Sequence, residues 1–297
     1  MQHNLRSVLI RVDVVRITVT QKHALFQNLA MIYATHGVAP NANSKLFVYR
    51  NLLDDEGFIK WLRRRPRPFV SLADALRGHG DALTIDDGTH AAASAAKLAA
   101  ELGHRVTLFV NPRYSIADEQ YFFALLNTAL DECRRKTVYW HGQTYDFHLA
   151  EDRKRFRARV KDELRDIDSG TRRDNVLHKC LDHLGQTFVQ PPSHLHTLGI
   201  QDLIYLRNAG VAIENHGWTH GEIATLTDEQ VIDEIKSAYD WLEALLGISS
   251  GYFAVPFGET LPPAGIRPFW KTWFLLTDQR PTGWVSDCVY NRQEVIL

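Results

Sequence analysis

The chain has 297 residues, 45% of them hydrophobic, and a formal net charge of −1 at pH 7. This apolar content is sufficient for a large folded core and excludes a mainly disordered chain. The near-neutral charge argues against nucleic acid as the main partner, since proteins that bind phosphate backbones usually carry a basic excess.

The predicted elements alternate between strands and helices. Residues 8–19 alternate apolar and polar side chains and predict a strand, and the apolar run at 45–52 predicts a buried strand. Apolar residues at helical spacing in 54–65 indicate a helix. Residues 69–78 predict a short strand and then a helix. The segment 82–110 predicts a strand, a turn, an alanine-rich helix and a second strand.

The remainder of the chain continues this alternation. Residues 116–135 and 150–184 predict helices, and the aromatic segment 137–149 between them suits a hairpin or loop. Residues 197–216 predict a helix, a glycine stop and a strand, whereas 226–247 predict a long amphipathic helix that begins with a capping box. Two further strands are predicted within 251–258 and 272–277.

This alternation favours a parallel α/β sheet or barrel. We expect one catalytic domain at 45–297, with a mostly helical insertion at about 112–196 that lies over the barrel mouth and selects the substrate. The aromatic segment 139–148 in this insertion is expected near the site. Residues 1–44 are interpreted as an N-terminal extension of unknown role.

The three cysteines, Cys133, Cys180 and Cys288, form neither a CxxC metal pair nor a disulfide framework, which fits a reducing compartment. Charged residues interrupt the apolar run near the N-terminus, so no secretory signal is predicted. No stretch is long and apolar enough for a membrane span. We therefore expect a cytoplasmic protein with no membrane span and no nucleic-acid partner.

Three polar segments follow predicted strands, namely TIDDG (84–88), ENHGWTH (214–220) and VPFGE (255–259). The carboxyl ends of parallel strands meet at one edge of a sheet, where active sites assemble. Two imidazoles and one carboxylate can hold a divalent ion with a position left for water, and a second carboxylate can accept a proton. The candidate residues are Asp86, Asp87, His216 and His220.

Each segment also has a simpler interpretation. An aspartate before a helix is commonly an N-cap, so the Asp86–Asp87 turn alone favours capping over catalysis. Two histidines four residues apart are weak evidence in a chain with 14 histidines. Trp218 could belong to the core or form a platform for a sugar ring, and Pro256 could be an ordinary turn residue. Only the three segments together favour the metal site.

The segments LTIDDG (83–88), NHGWTH (215–220) and FAVPFG (253–258) resemble, in this order, the first three motifs of the NodB-type polysaccharide deacetylases of carbohydrate esterase family 4. The resemblance covers roughly 45–111 and 197–277 and implies a distorted (β/α) barrel. It implies that Asp86 is the catalytic base and that one divalent metal ion, expected to be zinc, binds three side chains: Asp87, His216 and His220. The expected substrate-binding residues are Trp218, Pro256 and Phe257, and by the same resemblance a backbone N–H near the third motif, around Phe257, would help to hold the oxyanion.

Two departures from the family pattern concern the catalytic machinery. Ala254 stands where the third motif normally has an arginine that pairs with the catalytic aspartate, and the late Leu-x-His that supplies the usual general acid is not found. Because a buried carboxylate needs a partner, we expect another donor near Asp86, with Arg292 or Arg280 as the candidates.

The leading hypothesis is a metal-dependent hydrolase that removes the acetyl group from an N-acetylated sugar or oligosaccharide. This sugar would belong to a surface polysaccharide or to its precursor. One alternative is a catalytically impaired homologue that binds sugar without hydrolysing it. Another is a hydrolase that uses the same metal site on a different amide or ester.

Overall fold

The computed structural model describes residues 30–40, 47, 52–117, 119–165, 170–248, 251–258, 274–279, 281–286 and 289–297. The strand predicted at 8–19 lies outside these residues, as do Arg280 and most of the strand predicted at 45–52. Of the described helices, none is long and apolar enough to cross a membrane.

The centre of the fold is a nine-stranded sheet in the spatial order β11-β1-β2-β3-β6-β7-β8-β10-β9. Its strands are β1 (Ile32–Thr35), β2 (Ala82–Ile85), β3 (Val106–Val110), β6 (Ala212–Asn215), β7 (Tyr252–Ala254), β8 (Phe274–Thr277), β9 (Gly283–Ser286), β10 (Val289–Asn291) and β11 (Gln293–Glu294). All neighbours in this order pair in parallel except β9 and β10.

Two consecutive strands of the chain, β10 and β11, connect the two ends of the parallel part of the sheet. Strand β10 pairs with β8, whereas β11 pairs with β1, and Arg292 alone separates β10 from β11. The eight parallel strands therefore form a nearly closed barrel, with Arg292 at the point of closure. This architecture confirms the predicted (β/α) barrel.

The described helices are α1 (Asp55–Arg63), α2 (Leu72–Leu76), α3 (His90–Glu101), α4 (Pro112–Ala117), α5 (Phe122–Glu132), α6 (Ala150–Arg165), α7 (Gly170–Leu184), α8 (Ile200–Asn208) and α9 (Asp228–Leu246). In α3, six alanines are buried, and such small side chains allow the helix to pack closely on the barrel strands. Helix α9 begins with the predicted capping box of Thr227 and Gln230 and ends at Gly247 in the left-handed conformation.

The segment between β3 and α8 contains helices α4 to α7 and an antiparallel hairpin of β4 (Thr137–Trp140) and β5 (Gln143–Asp146). It has a core of its own, in which side chains of α5, α6, α7 and the hairpin pack together. Of the two alternatives expected for 137–149, a hairpin or a loop, the structure shows the hairpin. This insertion also contacts the barrel, since Phe257 packs against its core.

The predicted N-terminal boundary at residue 45 is wrong, because β1 lies at 32–35 and pairs with both β2 and β11. Residues 32–35 are only moderately hydrophobic, so they predict a strand less clearly than the more apolar run at 45–52. The short strand predicted at the start of 69–78 is also absent from the described structure, where the Phe69 N–H donates to the His104 ring. The helices predicted at 116–135 and 150–184 each correspond to two helices.

Candidate active site

Asp86 and Asp87 occupy the turn that directly follows β2. The backbone of Asp87 is in the left-handed region, with φ of 74°, and Gly88 follows with φ of 64°. A Cβ at Gly88 would lie 2.9 Å from a Val110 methyl group, so this turn requires glycine. The N-cap of α3 is Thr89, whose side chain accepts a hydrogen bond from the Ala92 N–H. Neither aspartate caps the helix, which removes the simpler interpretation of this motif.

The two histidines of the second motif lie beyond the end of β6. The backbone N–H of His216 donates to the Val110 carbonyl over 3.0 Å, and its Nδ1 lies 2.8 Å from the Ala254 carbonyl. Because that carbonyl can only accept, Nδ1 carries the proton, and Nε2 of the neutral ring presents a lone pair. His220 has a left-handed backbone, with φ of 55°, which turns its ring toward that of His216.

Asp87, His216 and His220 converge as predicted. Oδ1 of Asp87 lies 3.4 Å from Nε2 of His216 and 3.3 Å from Nε2 of His220. One ligand atom from each residue lies within 4.8 Å of the others, which suits a shared ion at about 2.0–2.2 Å from each. All three residues are buried, and Oδ1 of Asp87 has no hydrogen-bond partner among the described residues. The donor set and the unpartnered oxygen both fit a divalent metal ion.

Glu234 of α9 supports the loop between the two histidines. Its carboxylate accepts hydrogen bonds from the backbone N–H of Thr219 at 2.6 Å and of Gly221 at 3.3 Å, and from the Thr219 hydroxyl. On the other side, the Asn111 amide donates to the Gly217 carbonyl over 2.9 Å. The position of His220 therefore depends on a buried carboxylate from a neighbouring helix.

Arg292 holds the Asp86 carboxylate. Its Nη1 and Nη2 donate to the two carboxylate oxygens over 2.8 and 2.6 Å. The same guanidinium donates to Asp278, with Nε 2.8 Å from Oδ1 and Nη2 3.0 Å from Oδ2. The Arg292 side chain is fully buried, that of Asp86 is 3% exposed and that of Asp278 is 35% exposed. The predicted donor is thus confirmed as Arg292, which replaces the arginine missing at Ala254.

The charges around Asp86 and Asp87 set the protonation of the site. Burial by itself raises the pKa of Asp86, but the Arg292 guanidinium and nearby imidazoles lower it below its ordinary value. Burial likewise opposes ionisation of Asp87, yet the two imidazoles hold its pKa well below the ordinary value. Burial lowers the pKa of His220, whereas the two carboxylates raise that of His216 despite its burial. Both aspartates are therefore ionised at neutral pH.

A cavity of about 170 Å³ opens beside these residues. Its lining includes Asp86, Asp87, His216, His220 and Phe257 among the predicted site residues. Trp218 and Pro256 do not line it, and their part in substrate binding stays a prediction. The aromatic hairpin segment 139–148 does not line it either.

The cavity also contains side chains that were not predicted, among them His36, Asn127, Arg157, Lys161 and Asp278. His36 follows β1 and Asp278 follows β8, so each lies at a strand end like the predicted residues. For Asp278, the available signal was a polar residue directly after the strand predicted at 272–277, whereas the weak strand signal at 32–35 left His36 without one. The other three belong to insertion helices, where nothing in the sequence distinguishes them from solvated residues.

The family model for polysaccharide deacetylase matches residues 196–264, which include the second and third motifs. No significant match is found among curated proteins. This match agrees with the resemblance to NodB-type polysaccharide deacetylases at the second and third motifs. The match to the model covers about a quarter of the chain.

Several solved deacetylase structures share this fold. The Streptococcus pyogenes deacetylase PplD, solved in complex with acetate, is 11% identical, with a TM-score of 0.56 over 90% of this chain and 92% of that chain. IcaB from Ammonifex degensii is 14% identical, with a TM-score of 0.51 over 90% and 91%. A putative polysaccharide deacetylase from Bacillus anthracis is 12% identical, with a TM-score of 0.51 over 90% of this chain and 64% of that chain. At these identities the likeness establishes the fold.

Proposed function

We propose that this protein is a metal-dependent hydrolase that removes the acetyl group from an N-acetylated sugar. The observation that carries the proposal is the buried cluster of Asp87, His216 and His220 beside an Asp86 that is ionised and held by Arg292. A divalent ion in that cluster, with zinc as the proposed ion, would supply Lewis-acid activation of water and of the acetamide carbonyl.

Asp86 is the proposed general base. Its carboxylate is ionised and lies at the cavity wall, so it can accept a proton from the attacking water. Arg292 fixes the plane of this carboxylate through two parallel hydrogen bonds, and Asp278 fixes Arg292 in turn. A base that is held in this way needs no reorientation when the proton moves.

The third motif supplies the proposed oxyanion donor. Phe257 lines the cavity and has a left-handed backbone, with φ of 63°. A Cβ at Gly258 would lie 2.5 Å from Oδ2 of Asp278, so this turn packs directly against the carboxylate that braces Arg292. We assign the Phe257 backbone N–H to the developing negative charge on the carbonyl oxygen.

His36 is the proposed proton donor to the leaving amine. The late histidine of the family is not found in this sequence, whereas His36 lines the same cavity as Asp86 and Asp87. An imidazole at this position can protonate the sugar nitrogen as the carbon–nitrogen bond breaks. A His36→Gln variant should therefore lose turnover while its zinc content stays that of the unaltered protein.

The sugar-binding homologue without turnover is the second candidate. The missing arginine at Ala254 favoured it, and the pairing of Arg292 with Asp86 removes that reason. Release of acetate from chitin oligosaccharides separates the two candidates, measured with zinc added and again after chelation. Zinc-dependent release supports the deacetylase, and sugar binding without release supports the homologue. Release from small acetate esters or non-sugar amides alone would instead favour the third hypothesis.

We further propose that the substrate is a surface polysaccharide or its precursor. We also propose that the protein acts in the cytoplasm. The deacetylase motifs support the first of these proposals, and the separated cysteines support the second. Cell fractionation and comparison of polymeric with precursor-sized substrates test them.

A further inference from the structure

The cavity beside the metal-site residues has opposite charges on its two sides. Asp86, Asp87 and Asp278 lie on the barrel side, each directly after a strand or in the turn that follows it. Arg157 and Lys161 lie on the insertion side, both on α6. Because they are four residues apart, their side chains lie on the same face of that helix.

Arg157 is held rigidly in this wall. The residue is 8% exposed, and its Nε donates to the Asn127 side-chain oxygen over 2.6 Å. The guanidinium carbon also lies 5.5 Å from the centroid of the Phe47 ring. A guanidinium positioned by a neighbouring helix and an aromatic ring loses little side-chain entropy when it binds an anion.

Lys161 lies next to the third motif. Its ammonium nitrogen is 5.6 Å from the centroid of the Phe257 ring, and that ring is 4.7 Å from the ring of His220. One aromatic side chain therefore separates Lys161 from a proposed metal ligand. A substrate whose acetamide lies at Asp86 would have the rest of its sugar close to α6.

We propose that Arg157 and Lys161 select an N-acetylated sugar that carries an oxyanion, a phosphate ester or a carboxylate, near the acetamide. This inference rests on the proposed deacetylase function and names the class of its substrate. A neutral sugar offers no charge for two cations, whereas both oxyanions accept charge-assisted hydrogen bonds from guanidinium and ammonium groups. The acids on the barrel side would keep the anionic end away from Asp86.

The test compares matched substrates on the zinc-loaded protein. The neutral substrate is methyl N-acetylglucosaminide, and the anionic ones are the 1-phosphate, the 6-phosphate and the 6-carboxylate of N-acetylglucosamine. We expect kcat/KM for acetate release to be about tenfold or more higher for at least one anionic substrate, the value of one hydrogen bond to a charged group. The preference should shrink as salt rises, since salt screens charges in an open cavity. The preferred compound tells phosphate from carboxylate.

Lys161→Met is the main variant, because methionine removes the charge and keeps an unbranched side chain beside Phe257. We expect it to reduce the preference about fivefold or more, which is part of the value of one charged hydrogen bond. Lys154→Met is the matched control: it removes the same charge from the same helix, where Lys154 pairs with Glu151 at the surface. The control should keep the full preference.

Equal kcat/KM for neutral and anionic substrates, or equal preferences in the two variants, would overturn the inference. Absence of acetate release from every substrate would instead contradict the proposed function. In that case calorimetry with the 1-phosphate, the 6-phosphate and the 6-carboxylate still decides the matter. Weaker binding of an anionic sugar by Lys161→Met than by Lys154→Met supports the anion site, whereas equal affinities or no binding reject it.

Discussion

Replacement of Arg292 by methionine removes the guanidinium that holds Asp86 and leaves a side chain of similar length. The Asp86 side chain is 3% exposed and receives two hydrogen bonds from Arg292, so the variant leaves a buried carboxylate without this cation. Asp278 also loses Arg292, but it is 35% exposed and water can solvate it. The main cost therefore lies at Asp86.

Removal of one partner from a buried ion pair lowers the free energy of unfolding by about 3–5 kcal/mol. The opposite change, Asp86→Asn, leaves Arg292 paired with Asp278 and should cost less, about 1–3 kcal/mol. The double variant contains no unpaired carboxylate at position 86. Its cost should therefore fall short of the sum of the two single costs by at least about 1 kcal/mol.

Urea denaturation in zinc-free buffer measures these differences in the free energy of unfolding. It compares the unaltered protein with Arg292→Met, Asp86→Asn and the double variant. Arg77→Met is the control, because Arg77 is exposed and pairs only with the neighbouring Asp74 among the contacts described, so its change should stay within about 0.5 kcal/mol. A cost below about 1 kcal/mol for Arg292→Met, or additivity of the two single variants within about 0.5 kcal/mol, would show that something other than Arg292 holds Asp86.

Four further outcomes are expected. Asp86→Asn should lose turnover but keep its zinc, since an amide cannot accept the proton; zinc loss on elemental analysis would mean that Asp86 and Asp87 have exchanged roles. His220→Ala should lose most of its zinc at equal free metal, because a ligand is gone. Glu234→Gln should weaken zinc binding about 10–100-fold in a competition titration, since it loosens the loop that positions His220; an unchanged affinity would contradict that support. Burial opposes the protonation of His216, but the carboxylates raise its pKa above its ordinary 6.5, so the apparent affinity for zinc should begin to fall as the pH drops through that raised pKa. Asp86→Asn removes one of these charges and should move the midpoint to lower pH.

The local chemistry of the site could be predicted from the sequence because short motifs carry it. Asp86 and Asp87 directly follow an apolar run, and His216 and His220 follow another, which places all four at strand ends. Parallel strand ends share one edge of a sheet, so order and spacing sufficed to predict their convergence. The capping box at Thr227 was equally readable, since it depends on residues three positions apart.

The tertiary structure alone decided the features that depend on distant residues. Thr89, not an aspartate, caps α3, and four residues at 32–35, with a weak strand signal, form β1 because barrel closure stabilises them. The anionic side of the cavity comes from the barrel strand ends and the basic side from the insertion, and only packing of α6 over the barrel places them together.

The pairing of Arg292 with Asp86 was determined partly by the sequence and partly by the tertiary structure. Burial of a carboxylate required a partner, so the sequence determined that Asp86 needs a donor. The sequence did not determine whether that donor was Arg292 or Arg280, because the choice depends on which side chain the closing strand turns inward. The structure places Arg292 between β10 and β11, 206 positions from Asp86, and closure of the barrel brings the two together. Such a contact leaves no local sequence pattern, because its geometry depends on the pairing register of all the barrel strands.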